Sequence, residues 1–303
     1  MAEYQSLQHA FNTDQDFPYH LETVLRERLY KGYGQYDAFY PSIIDTVPST
    51  KNKERYMGLH ADLEFVETNI LEPFKDASMG EKEVEIYNHK FGRMISFPIE
   101  LIEDDDRGVF NIVPTKFGEA AKRCIDKAVF DELIDTTNYS EANGNIVGIT
   151  PALTYEGLKE AWELFMAQTD VNGHPIVVEP DTLIVPYTLY IDAWRLMGTP
   201  DLTITTAETR GAGIEDTGSH RYPHFFKGRF NVMMVPYLTD TDAWYLIRAK
   251  DWGVLQERVP LNIITTTSTN DQVIKMDAYM TRARMRFGVG VLDHRFIVKS
   301  PGA

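Results

Sequence analysis

Residues 89–110, "HKFGRMISFPIELIEDDDRGVF", pass from an alternating apolar stretch into four consecutive acids and then a glycine turn. Phe91, Ile95, Phe97, Ile99 and Leu101 recur at period two, which predicts a strand. Pro98 has no N–H to give a ladder, so this strand is expected at an edge or a bulge. Just upstream, Val84 and Ile86 alternate with Glu83, Glu85 and Tyr87, and strand is expected across 82–102. Together with residues 55–81 this suggests a long, exposed, hairpin-like excursion. Such an edge is a hazard in a monomer and makes sense when a neighbouring subunit covers it.

The acids Glu103, Asp104, Asp105 and Asp106 raise the question of chemistry. Paired carboxylates serve acid–base work and hard-metal binding only when they converge. Neighbours on a strand point to opposite faces, and a calcium loop spaces its ligands by one residue and adds a distant glutamate. Neither pattern is present, so a solvated or interface-facing turn is expected. "DVNG" (170–173) resembles only the start of a calcium loop, and Asn-Gly is itself a turn signal. His220 and His224 stand four apart, but Pro223 between them opposes the helix that such a metal pair needs. Cys124 falls on an apolar helical stripe and reads as packing. There is no G-x-S-x-G, P-loop or dinucleotide glycine pattern, and no cofactor is expected.

Downstream, "PTKFGEAAKRCIDKAVFDELIDT" (114–136) is the strongest helical pattern, with Thr115 as its expected cap and Phe117, Ala121, Cys124 and Ala128 on one stripe. A second helix is expected over 154–168, with Leu158, Ala161, Trp162 and Phe165 on one face, and a third over 187–197, closed by Gly198. Short strands are expected at 176–178 and 182–186, a loop over 199–228, and strands at 229–238 and 243–249. From Tyr279 to Val291 an apolar face alternates with Arg282, Arg284 and Arg286, and "HRFIVK" is expected to continue that strand to the C-terminus. The arginine face reads as solvated surface, as an ion-pair surface for an acidic partner, or, third, as a small basic footprint for DNA. Near the N-terminus, residues 1–17 are polar and unpatterned, a short helix is expected over 18–34 with Gly32 and Gly34 ending it, and the connector after it lacks periodicity.

Composition bounds the function. The 303 residues suggest one to three domains. A formal net charge of −15 opposes both a DNA-coating surface and docking to anionic membranes. The 16 Tyr, 16 Phe and 4 Trp are the residues that dominate cores and buried interfaces. One cysteine excludes a disulfide framework and points to a reducing compartment. No stretch reads as a signal peptide or reaches the ~18 apolar residues of a membrane span, so a soluble, cytoplasmically made protein is expected.

Several segments carry a family resemblance: "VPSTKNKERYMG" (47–58), the 89–110 stretch, "FGEAAKRCIDKAVFDELI", "LTYEGLKEAWELF", "VEPDTLIVPYTLYIDAWRLM" and "RARMRFGVGVLDHRF". In this order they resemble the major capsid protein of tailed bacteriophages, with its Hong Kong 97-type fold, and most of all the major head subunit of Mu-like phages. The resemblance implies an α+β capsid fold: an N-terminal arm (1–54), an extended loop (55–102), a peripheral domain (103–186) with a spine helix at 114–135, an axial domain (187–265), and a C-terminal return to the peripheral domain (266–303). It implies a structural protein rather than an enzyme. Such a protein assembles with itself into pentamers and hexamers of an icosahedral shell in the host cytoplasm. The shell encloses double-stranded DNA without sequence-specific binding and has no membrane.

The resemblance implies a scaffolding protein, a portal and a cement protein as partners, and the scaffold is expected to be a separate protein, since only about 20 residues precede the first helix. Glu103, Asp104, Asp105 and Asp106 then fall at the base of the extended loop, and Arg282, Arg284 and Arg286 are expected at inter-subunit or ion-pair contacts. No lysine–asparagine cross-link motif can be matched. Two other readings stand beside this one: an encapsulin-type nanocompartment shell, and an enzyme using residues 103–106 with His220 or His224.

Overall fold

The long C-terminal alternation forms the strand around which one half of the protein is built. The structure is a computed structural model that describes residues 16–61, 79–98, 109–170, 173–176, 178–198, 201–210, 214–266 and 278–302. β1 (Asp45–Pro48), β4 (His89–Pro98), β10 (Gly253–Thr265) and β11 (Ala278–Val291) make one sheet in the order β1-β10-β11-β4. β11 is antiparallel to both neighbours, and β1 is parallel to β10. Pleating puts Tyr279, Thr281, Ala283, Met285 and Phe287 on one face, and all are buried. Phe91 on β4 stacks on Phe287 with centroids 4.3 Å apart. β4 lies at the sheet edge and ends at Pro98, opposite Ala278, as a residue without an N–H requires.

α2 (Val109–Ile134) covers that apolar face, with Ile125, Val129, Phe130 and Leu133 packed in one core with Met285 and Phe287. The helix begins earlier than expected. Thr115 is not its cap, because the helical turns start at Val109 and carry Pro114 inside them. Pro114, the sixth residue of the helix, forgoes the one ladder bond that its N–H would have given to the carbonyl of residue 110. α1 (Asp16–Gln35) packs against α2. Gly32 does not end α1, contrary to expectation. It is a contact point: a Cβ there would lie 2.0 Å from the Thr115 carbonyl oxygen, and one on Gly118 would lie 2.0 Å from that of Leu29. The glycines let two helix backbones touch.

The second sheet has the order β12-β9-β5-β8, from β5 (Thr182–Val185), β8 (Asn231–Met234), β9 (Trp244–Ile247) and β12 (Ile297–Ser300). β5 is buried along its whole length, as a continuous apolar run should be. Its Ile184 joins the first core, while Leu183 and Val185 join a second core with α3 (Tyr155–Met166) and α4 (Tyr190–Gly198). α3 starts where Thr154 caps it, its hydroxyl accepting from Gly157 N at 3.2 Å.

Four expectations are corrected here. Residues 201–210 and 214–223, expected as loop, pair as an antiparallel hairpin of β6 (Asp201–Arg210) and β7 (Ile214–Pro223). Their Thr- and Ile-rich run around "GAG" is strand chemistry that the glycines obscured. "HRFIVK" does not prolong β11. Asp293 accepts from Arg295 N at 3.0 Å, a one-turn helix follows, and β12 crosses to the second sheet. Residues 176–178 form no strand among the described residues. Finally, β10 fills 253–265, where no element was expected, because a bulge between Glu257 and Asn262 accommodates Pro260.

Candidate functional site

β2 (Lys53–Ala61) and β3 (Met79–Tyr87) pair with each other from Lys53↔Tyr87 to Ala61↔Met79, and among the described residues with neither sheet. The expected excursion of 55–102 is thereby corrected: the strand expected over 82–102 breaks at Asn88, and only β2 and β3 form the hairpin, while β4 pairs with β11 in the first sheet. Side-chain hydrogen bonds fix its root. Asn88, buried at the joint between β3 and β4, donates from Nδ2 to Ser49 Oγ at 2.8 Å and to the Lys51 carbonyl at 2.9 Å. Glu54 Oε1 accepts from Lys51 N at 3.0 Å, Ser49 Oγ at 3.0 Å and Thr50 N at 3.2 Å. These bonds, the one from Lys51 N foremost, hold the Glu54 carboxyl below its usual range. Farther along, Arg55 Nε lies 2.7 Å from Glu83, and Lys53 contacts Glu85.

The root is also bound to β11. Arg286 donates from Nη2 to Asn52 Oδ1 at 2.7 Å, and Arg258 donates to the same oxygen at 3.3 Å. On the arginine-bearing face of β11, a Cβ on Gly288 would lie 2.4 Å from the Tyr87 carbonyl oxygen, and one on Gly290 would lie 2.6 Å from Ile86 Cγ1. The two glycines clear a track for the hairpin root, which a side chain at either position would block.

The three arginines do share a face. Arg282 lies opposite Met94 and Ile264, Arg284 opposite Gly92 and Asn262, and Arg286 opposite Lys90 and Val259. Met94 and Ile264 are exposed beside them. The Nε atoms of Arg284 and Arg286 are buried without a hydrogen-bond partner, and among the described residues no carboxylate pairs with any of the three. Glu103, Asp104, Asp105 and Asp106 lie outside the described residues.

His220 lies on β7 and His224 just beyond its end, so the two do not share a helix. His224 is buried edge-on to Tyr155 at 5.3 Å, and burial lowers its pKa. Burial also raises the pKa of the Cys124 thiol, the opposite of what a nucleophile needs. Asp170 Oδ1 accepts from His174 N at 2.9 Å and closes the turn expected at 170–173. Among the described residues no three His, Cys, Asp or Glu side chains converge as a metal site, and no helix is long and apolar enough to cross a membrane.

Sequence patterning gave no warning of Asp126. It is fully buried in α2 and accepts from Phe39 N at 3.0 Å and Tyr40 N at 2.9 Å, pinning the N-terminal connector to the helix. Its only signal is an acid inside an apolar helical stripe.

A long helix across a sheet, a second sheet with its own helices, and a hairpin that pairs with neither make up a fold matched by capsid subunits of the Hong Kong 97 type. A profile described as phage capsid protein matches residues 81–300, and the chain belongs to that family. Its role is that of a major capsid protein, a structural component of a bacteriophage head. The procapsid subunit of bacteriophage JBD30 is similar at 18% identity and a TM-score of 0.50, over 95% of this chain and 76% of that one. Microbacterium phage Oxtober96 is similar at 12% identity and a TM-score of 0.56, over 86% and 90%. A virus-like particle from Pyrococcus furiosus is similar at 12% identity and a TM-score of 0.54, over 91% and 98%. No curated protein matches the sequence.

Proposed function

We propose that the chain assembles with itself into the pentamers and hexamers of an icosahedral head that encloses double-stranded DNA without sequence-specific contacts. The observation that carries this is the β2–β3 ladder, which is latched to β11 at its root but, among the described residues, pairs with neither sheet. A lone two-stranded hairpin is marginal in water, and its open edges are stabilised when a neighbouring copy covers them. A net charge of −15 fits a wall that confines DNA without gripping it.

Within this reading, residues 1–54 serve as the N-terminal arm, and the extended loop runs from 55 to 87 rather than to 102, because β4 pairs with β11 in the arginine-bearing sheet. Residues 103–186 and 266–303 form the peripheral domain, and the axial domain begins at 187. We place the end of the axial domain before Gly253 rather than at 265, because β10 runs in the arginine-bearing sheet. Glu103, Asp104, Asp105 and Asp106 are assigned to the turn at the loop base, and Arg282, Arg284 and Arg286 to carboxylates of a neighbouring copy. Within the family, we assign the chain to the Mu-like head subunits on the resemblance of its sequence segments. The protein performs no catalysis, is assembled in the host cytoplasm with a separate scaffolding protein, a portal and a cement protein, and ends in the virion.

The test is nuclease treatment of particles purified from producing cells. Protected double-stranded DNA of phage length supports the head. Particles filled with a single enzyme and free of DNA would establish a nanocompartment instead.

A further inference from the structure

The corner where β5 gives way to α4 holds large apolar side chains in water. Tyr187, Ile191 and Trp194 are 66%, 60% and 67% exposed. Ala193 and Met197, also on α4, are buried in the second core. α4 therefore has one face in the core and a second apolar face with nothing over it among the described residues. Exposed groups of this kind, rich in Trp and Tyr, mark contact surfaces. Acids frame the corner. Thr188 Oγ1 donates to the Thr241 carbonyl, which holds the loop bearing Asp240 and Asp242 beside the start of α4. Both acids are exposed, and neither has a cation partner among the described residues. Asp192, the third acid, is paired with Arg195 at 3.5 Å.

A surface of opposite character lies in the turn before β8. Phe225 is exposed, and the Arg229 guanidinium lies over its ring at 3.9 Å. Lys227 is exposed without an ion pair among the described residues, and Glu179 approaches Arg229 only at 3.8 Å. The sheet register places the two surfaces. β5 and β8 are parallel, with Thr182 opposite Asn231 and Val185 opposite Met234. The 224–230 turn feeds the start of β8, and Tyr187 follows the end of β5. The acidic aromatic corner and the basic aromatic turn thus sit at opposite ends of one strand pair, roughly 13 Å of extended chain apart.

A surface that must meet a copy of itself across a two-fold axis needs only one patch. Two unlike, complementary patches at opposite ends suit head-to-tail contact, which closes into a ring. We propose that the corner of Tyr187, Ile191, Trp194, Asp240 and Asp242 on one copy docks on Phe225, Lys227 and Arg229 of the next, and that repetition of this contact sets the ring. This rests on the self-assembly reading and names the contact it uses.

The experiment uses the full chain with Cys124→Ala, so that introduced thiols are the only ones. Assemblies of Ile191→Cys with Lys227→Cys, and of each single variant, are treated with a short bismaleimide and resolved on denaturing gels. The double variant is expected to give a ladder that stops at the ring size, and each single variant no cross-linked species. Intact assemblies with no ladder would overturn the proposal, as would dimers from Ile191→Cys alone, which indicate a two-fold contact. If the unsubstituted chain forms no assembly at all, the self-assembly reading fails instead.

Discussion

Arg286 and Asn52, far apart in sequence, meet at 2.7 Å, the guanidinium Nη2 donating to the amide Oδ1. Arg258 shares that oxygen at 3.3 Å. The C-terminal strand of the first sheet is thereby latched to the root of the detached hairpin. Removing the acceptor should loosen the root without disturbing either core. Asn52→Ala is expected to lower stability by about 1 kcal/mol in urea unfolding, below the ~1.5–3 kcal/mol of a bond to a charged group because the site is exposed, and to speed proteolysis within the hairpin. Asn52→Asp, which offers both guanidiniums a carboxylate, should match or exceed the parent protein. An unchanged proteolysis rate in Asn52→Ala would show that the latch does not hold the root.

The glycine track gives a graded test. Gly288→Ala sets a methyl 2.4 Å from a backbone carbonyl oxygen, whereas Gly290→Ala meets the Ile86 side chain at 2.6 Å. A side chain yields more easily than backbone, so Gly288→Ala should cost more, within the ~1–3 kcal/mol of overpacking. Thermal unfolding of both variants decides, and equal Tm values would contradict the track.

Asp126 links stability to pH. Burial pushes its carboxyl above the ordinary 3.8, against the hydrogen bonds from Tyr40 and Phe39. A carboxyl whose folded pKa is raised contributes stability that is full below the unfolded pKa and is lost as pH rises through the folded pKa. The parent protein should therefore lose stability relative to Asp126→Asn as pH climbs from about 3.8, and the difference should level off above the folded pKa. Asp126→Ala strands the N–H groups of Phe39 and Tyr40 and is expected to cost roughly 2–4 kcal/mol at low pH, a cost that shrinks as pH rises through the folded pKa of the parent. Parallel pH profiles for the parent and Asp126→Asn in chemical denaturation would refute the linkage.

The arginine strip has two buried Nε donors without acceptors and no carboxylate partner among the described residues. If a neighbouring copy supplies the carboxylates, changing Arg282 and Arg284 together to Glu, with Arg286 kept as the root latch, should leave a folded chain, checked by circular dichroism, that forms no shells in sedimentation. Normal shells from that variant would remove the strip from the interface.

The elements legible in the sequence were those whose pattern is local. β11 announces itself by strict alternation and α2 by its apolar stripe, and the order of segments that resemble capsid subunits, 89–110 among them, points to the class. What was illegible depends on contacts distant in sequence. Gly32 reads as a stop signal but acts as a meeting point with Thr115. Asn52 sits in an unpatterned connector and Asn88 inside a stretch that reads as continuous strand, and their partners, Arg286 for Asn52 and Ser49 for Asn88, are distant in sequence. β10 was hidden by Pro260 at a bulge, and β6–β7 by glycines and threonines that suit loops as well as strands. Asp126 had no local reason to be buried; the reason is the connector that lies on it.

The most direct test of the central claim is negative-stain electron microscopy of the purified chain, expressed alone and with a co-expressed scaffolding protein. Closed shells, or rings of five and six subunits, are the predicted result. A chain that stays monomeric under both conditions would contradict the account.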